Sequence, residues 1–301
     1  MKMKLIYILG AFVLGSNSFA QDIHFSNLEL SNLYSSVGAV GGSRAKLRAT
    51  THYRNQWPTI GKAYQTIGLT ADYKLKMKEN ALGFGLIMNR DQAGDLALTK
   101  LQADLAVAYH LKISDYSFFS GGIQMGITQH SIDETKAEWQ NQFDGKKFNP
   151  NLPSNEAPLF QPFINYDFGT GLRWNMDKTV VNRYSNSITK LDLGVSLYHM
   201  VASALDYNAN QKEYTRIAVT GSSTIVLKYR YTELQPAFLY QIKGSEQELV
   251  FGMLFKYIIR EGSKYTGYFD QLDMGFGSYY RLPNDAIIPT FNMNYNNILF
   301  E

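Results

Sequence analysis

The stretch RAKLRATTHYRNQW, residues 44–57, alternates with a period of two. Ala45, Leu47, Ala49, Thr51 and Tyr53 fall on one side, and Lys46, Arg48, Thr50, His52 and Arg54 on the other. That period belongs to a strand, so the stretch predicts a strand with two unlike faces. Its charged face cannot enter an apolar core unpaired, because a lone buried cation costs more than a fold can spare. Two architectures remain. One is a sheet with one face in water, as in a secreted β-sandwich. The other is a barrel with apolar residues toward lipid and polar ones toward a lumen.

The choice rests on repetition. The same alternation recurs near residues 63–75, 81–89, 97–112, 116–130 and 164–174, and again near 190–199, 214–227, 234–243, 248–259, 268–281 and 286–300. About twelve strands are thus expected, and most exceed the globular mean of about 5–6 residues. They fit tilted membrane strands of about 9–11 residues with extensions. Short links imply antiparallel neighbours and an up-and-down meander, which in lipid must close on itself. Glycines on the polar face, such as Gly83 and Gly85, suit a curved wall or a crowded lumen. Residues 21–42 read as irregular, and residues 131–161 break the pattern as the longest loop.

The N-terminus reads as a secretory signal over residues 1–20. Lys2 and Lys4 are followed by the apolar run 5–14 and by Ser18-Phe19-Ala20. Residues 21–301 are then expected to form a single barrel domain in the outer membrane. No cysteine is present, which excludes disulfides and a lipoprotein anchor. The 21 tyrosines and 18 phenylalanines would supply interfacial girdles, with Trp57 and Trp174 read as anchors in them. A formal net charge of +3, spread along the chain, gives no footprint for nucleic acid.

No constellation carries chemistry. His24, His52, His110, His130 and His199 match no metal-ligand spacing, so neither a metal site nor a cofactor is expected. GGSRA at 41–45 and GSSTI at 221–225 lack the second glycine of a nucleophile elbow. No motif supports an enzyme. A hydrolase would need a serine and a histidine near one strand end, oriented by a third polar group. The long loop is the stronger candidate, since loops on a rigid scaffold hold binding residues. Within it Trp139 could fold into the lumen or meet a partner, and Trp139, Phe143, Phe148 and Phe160 are the expected partner contacts. A competing reading is a pore for small solutes, weakly anion-selective through Lys46, Arg48, Arg54, Lys74, Lys100 and Arg173.

A series of blocks also resembles a known family. QDIHFSN at 21–27, GGSR at 41–44 and above all YRNQW at 53–57 open the match. GFGLIMNRDQAG at 83–94, WQNQFD at 139–144, NYDFGTGLRWN at 165–175 and MGFGSYYRLPNDAIIP at 274–289 continue it. These are similar to the PorP/SprF family of the type IX secretion and gliding machinery of Bacteroidetes. The resemblance implies an outer-membrane barrel without enzymatic activity. Its expected partner is a secreted or surface protein with a type IX C-terminal sorting domain, together with further secretion components. Family members usually continue for two or so further strands beyond the position of Phe300, which implies a total of about fourteen. The family gives no contact residues to transfer.

Overall fold

The computed structural model describes residues 25, 28, 31–57, 59, 64–155, 162–181, 186–201, 213–227, 232–260, 271–283, 286–296 and 298–300. The signal stretch 1–20 and Phe160 lie outside them.

Among the described residues thirteen antiparallel strands form one sheet in chain order. They are β1 (Leu47–Gln56), β2 (Tyr64–Lys76), β3 (Ala81–Ala93), β4 (Leu98–Ser114), β5 (Ser117–Ser131), β6 (Phe163–Val181) and β7 (Asn186–Tyr198). The rest are β8 (Arg216–Val226), β9 (Thr232–Lys243), β10 (Glu246–Arg260), β11 (Leu272–Leu282), β12 (Ala286–Tyr295) and β13 (Ile298–Phe300). The meander expected from the alternation is present, with two differences. The stretch read as one strand over 286–300 is broken at Asn296, whose φ of 49° turns the chain back, so two strands replace one. β6 runs on to Val181 rather than ending near 174, because it stays paired with β7 as far as Asn186.

Local chemistry fixes the hairpins. Gly244 takes a φ of 60° in the two-residue link between β9 and β10, the conformation a tight hairpin turn needs at its first position. Every strand pair is antiparallel and in continuous register over most of its length, for example Tyr73 opposite Phe84 and Asp72 opposite Gly85. The tight turns at 77–80 and 115–116 lie at one end of the sheet, and the long link 132–162 lies at the other.

Burial is inverted relative to a water-soluble protein. Ile123, Leu105 and Phe276 are at least 60% exposed, whereas Asp104, Asp273 and Ser120 are at most 2% exposed. A contiguous exposed apolar surface of this kind is a lipid-facing wall. Exposed aromatic residues mark both margins: Tyr73, Tyr109 and Tyr116 toward the tight turns, and Tyr53, Trp57, Tyr64 and Tyr166 toward the long link. Trp174 stands at the tight-turn margin, where its indole N–H donates to Ser117 Oγ at 2.8 Å. Along β2 the two margins are about 30 Å apart at ~3.4 Å per residue. A strand tilt of roughly 40° reduces that to about 23 Å, close to the ~25 Å apolar band of membrane barrels. Among the described residues no helix is long and apolar enough to cross a membrane.

The apolar core lies inside the curled sheet. Residues read as irregular form a short helix α1 (Asn32–Ser35) and a 3-10 turn (Val37–Ala39), and both are buried. Leu33, Tyr34, Ala39 and Val40 pack with Phe25 against Ile87, Ala106 and Ala108 of β3 and β4. Val37 packs against Tyr198, Ala218 and Leu239 of β7, β8 and β9. Fully burying Leu33, Val37 and Val40 contributes roughly 1.5–3 kcal/mol each. The sheet thus encloses an apolar centre that the chain itself provides.

Candidate functional site: the filled lumen and the long loop

The segment that precedes β1 touches eight strands in succession. Phe25 stacks on His52 of β1 with ring centroids 4.5 Å apart. The Gly41 N–H donates to Asp72 of β2 at 2.8 Å, and Val40 lies against Gly83 and Gly85 of β3. On β4, His110 Nε2 lies 2.8 Å from the Val40 carbonyl. Val37 lies against Gly122 of β5, and Gly38 against Arg173 of β6. The Val37 N–H donates to Ser196 Oγ of β7 at 3.0 Å, and Arg216 of β8 donates to the Tyr34 carbonyl at 3.1 Å. Most of these contacts are to main chain. The wall holds this segment as a groove holds a peptide, with polar side chains reading its backbone.

Wall glycines make the close approach possible. A Cβ on Gly122 would stand 2.8 Å from the Val37 carbonyl oxygen, nearer than real Cβ contacts come. On the lipid side the neighbouring Gly121 has room, its nearest atom Leu172 Cδ2 at 3.6 Å. The glycines read as suiting a crowded lumen are therefore the positions where this segment seats. The sequence signal was the pairing of inward glycines with the small-residue run VGAVGG at 37–42.

The lumen is densely charged, and most of its cations are already paired. Arg48 donates to Asp72 at 2.7 Å, and Arg173 forks onto Asp192. Lys74 donates to the Ser43 carbonyl, and Lys100 lies 3.9 Å from Glu213. Arg54 of β1 is within electrostatic reach of Glu248 of β10 and Arg281 of β11, so the two flanks of the sheet face a common interior. Lys46 lies over the Tyr73 ring at 5.6 Å. Of the six cations read as an anion-selective lining, at least four are thus neutralised or engaged. Beside the N-terminal segment, β7–β12 line a cavity of about 470 Å³, with Thr220, Ser222, Thr224, Lys256 and Asp273 on its wall.

A serine and a histidine do meet. Ser120 Oγ is 2.6 Å from His110 Nδ1. With Nε2–H donated to the Val40 carbonyl, Nδ1 is the acceptor and the serine hydroxyl is the donor. This is the arrangement of a nucleophile and a base, but Ser120 is fully buried and the other ring nitrogen of His110 is taken by the Val40 carbonyl of the N-terminal segment. The pair fastens that segment to the wall. His199 lies 3.0 Å from Asp167, and His130 stacks on Phe163 at 4.8 Å. Among the described residues no His, Asp and Glu cluster is able to hold a metal ion.

The loop is ordered by its own hydrogen bonds. Phe143 and Phe148 form an isolated antiparallel bridge around a turn at Asp144-Gly145, with Gly145 at φ 92°. Asp144 Oδ1 accepts the N–H groups of Lys146 and Lys147 at 2.9 and 2.8 Å. These donors, Lys147 foremost, hold its carboxyl below the usual carboxylate range. The Gln142 side chain donates to the Leu152 carbonyl and accepts from the Trp139 N–H. Phe143 is exposed, and Trp139 and Phe148 are half-buried. The structure places Phe143 and Phe148 on one small hairpin at the long-link end, with Trp139 at the start of the 3-10 turn that leads into it.

The family model described as "Type IX secretion system membrane protein PorP/SprF" matches residues 17–300. No curated protein matches the chain.

Proposed function

The chain belongs to the PorP/SprF family of type IX secretion system membrane proteins, and from that membership we propose a specific role. It is an outer-membrane barrel that binds a cognate protein carrying a C-terminal sorting domain and helps to secrete it or to hold it at the cell surface. The observation that carries this reading is the family match over nearly the whole chain, joined to a wall that is apolar outside and polar inside. Other components of the secretion machinery are expected partners as well. The role needs no catalysis.

In this reading the tight turns face the periplasm and the long link faces outward, following the usual asymmetry of such barrels. Trp139, Phe143 and Phe148 then form the contact for the partner, with Phe160 on the same link. The self-bonded hairpin supports this, because a preorganised aromatic patch loses little freedom on binding. Phe143→Ala combined with Trp139→Ala is expected to leave the barrel folded and to weaken capture of the partner about 30-fold or more, the scale of a hot-spot loss of ~2 kcal/mol. A tagged pull-down from outer membranes in mild detergent, with mass spectrometry, tests both statements. A stoichiometric protein with a sorting domain, lost in the double variant, supports the role. A solitary barrel, together with unchanged surface proteins in a deletion strain, removes it.

A further inference from the structure

The tight-turn mouth of the lumen carries more cations than carboxylates. A cavity of about 610 Å³ opens there, on the side of β1–β6. Six cationic side chains line it: Arg44, Lys74, Lys76, Lys78, Lys112 and Arg173. Its lining carboxylates are Glu79, Asp115 and Asp177. Two of these are already engaged, Asp177 by Arg44 at 2.7 Å and Asp115 by Lys112 at 2.8 Å. Arg173 is neutralised by Asp192 from the neighbouring strand β7. Lys74 is held by the Ser43 carbonyl, and Lys76 and Lys78 then face Glu79 alone among the lining carboxylates. An adjoining cavity of about 350 Å³ adds Lys46 to the same rim. Lys76 and Lys78 are exposed, and among the described residues no carboxylate lies within ion-pair distance of either or of Lys46.

At the opposite end several cations of the described residues meet carboxylates. There Lys136 pairs with Asp133, and Lys100 and Lys243 share Glu213. An uncompensated set of cations around a concavity focuses potential and raises the local concentration of anions. We propose that the tight-turn mouth receives an acidic polypeptide segment from the adjoining aqueous compartment, its carboxylates meeting Lys76 and Lys78. Lipid headgroups carry the same sign of charge but lie around the outside of the wall. The larger cavity is walled by inward residues, His110, Ser120 and Arg173 among them, and opens to water. That placement favours a soluble polyanion. Salt weakens the contact, because the rim lysines are solvent-exposed and screened over a Debye length of about 10 Å at 0.1 M.

The test uses the full chain in nanodiscs of zwitterionic lipid, with a fluorescein-labelled deca-glutamate peptide as probe. Anisotropy is expected to show binding at low salt that fades as salt rises. Lys76→Glu with Lys78→Glu is expected to weaken it at least tenfold. Lys146→Glu with Lys147→Glu, on the loop at the other end, is expected to leave it unchanged. Equal binding of a glycine-serine peptide, or equal loss in the loop variant, overturns the proposal. So does an absence of peptide binding accompanied by Lys76- and Lys78-dependent enrichment of phosphatidylglycerol around the protein, which would assign the rim to the membrane. The assay contains no secreted partner. Failure here with intact partner capture strikes the mouth alone and leaves the proposed role standing.

Discussion

Gly122→Val is expected to loosen the N-terminal segment and raise ion flow through the lumen, whereas Gly121→Val changes neither stability nor conductance. The two glycines are neighbours on β5 and point to opposite faces. A side chain at 122 enters the space of the Val37 carbonyl, 2.8 Å from the first added carbon, while one at 121 meets only Leu172 at 3.6 Å. Overpacking a filled interior costs about 1–3 kcal/mol. The buried Leu33, Val37 and Val40 together contribute roughly 5–9 kcal/mol, from about 1.5–3 each. One insertion therefore loosens the segment without expelling it. Adding Gly83→Val on β3, which collides with Val40, raises the opposing sum to about 2–6 kcal/mol, reaching the lower part of the retaining range. Planar-bilayer conductance should then rise in the order native, Gly122→Val, double variant. Equal conductance in all three, with unchanged unfolding midpoints, would mean that the lumen segment does not govern permeation. An open-pore function would be revived if the native protein already conducts as well as the double variant.

The wall was legible because its rule is local. Outward Leu69, Phe84 and Leu105 and inward Thr70, Gly85 and Asp104 follow from the period of two alone. The lumen was not legible, because its contacts join residues distant in sequence. Val37 meets Ser196 across 159 positions, and Tyr34 meets Arg216 across 182. Nothing within residues 21–42 announces those partners, so the segment read as irregular. Cross-strand register was likewise hidden. Arg48 opposite Asp72 and His110 opposite Ser120 are direct register pairs, and only the pairing turns scattered polar residues into ion pairs and hydrogen bonds. The loop held one signal that sequence reading passed over. Asp144-Gly145 between Phe143 and Phe148 is a hairpin dipeptide, and it is where the chain turns. Inward cations suggested an anion path, but Arg48, Lys100 and Arg173 were read without the carboxylates that face them.

Asp72→Ala is expected to produce the largest loss of stability of any single change in the wall. The Asp72 carboxylate is 1% exposed and serves two groups, Arg48 Nε at 2.7 Å and the Gly41 N–H at 2.8 Å. It thus joins β1 to β2 and fastens the N-terminal segment where that segment turns into β1. Removing it leaves a largely buried guanidinium without its counter-charge and a buried amide without its acceptor. Breaking a buried pair from one side costs about 3–5 kcal/mol, mostly through the charge left behind. Asp72→Asn should fall between, because its amide oxygen can still accept from Gly41 but cannot neutralise Arg48. Arg48→Met on the Asp72→Ala background should then recover a large share, since the stranded charge is gone. Urea unfolding in detergent micelles, read as shifts of the midpoint, gives the whole set. Should Asp72→Ala unfold within about 0.5 kcal/mol of the native protein, the range of ordinary surface changes, the ion pair carries no weight. Should Arg48→Met fail to recover stability, the cost lies in the lost hold on Gly41 rather than in the charge. The junction between the lumen segment and the wall, not the β1–β2 ladder, would then be what Asp72 secures.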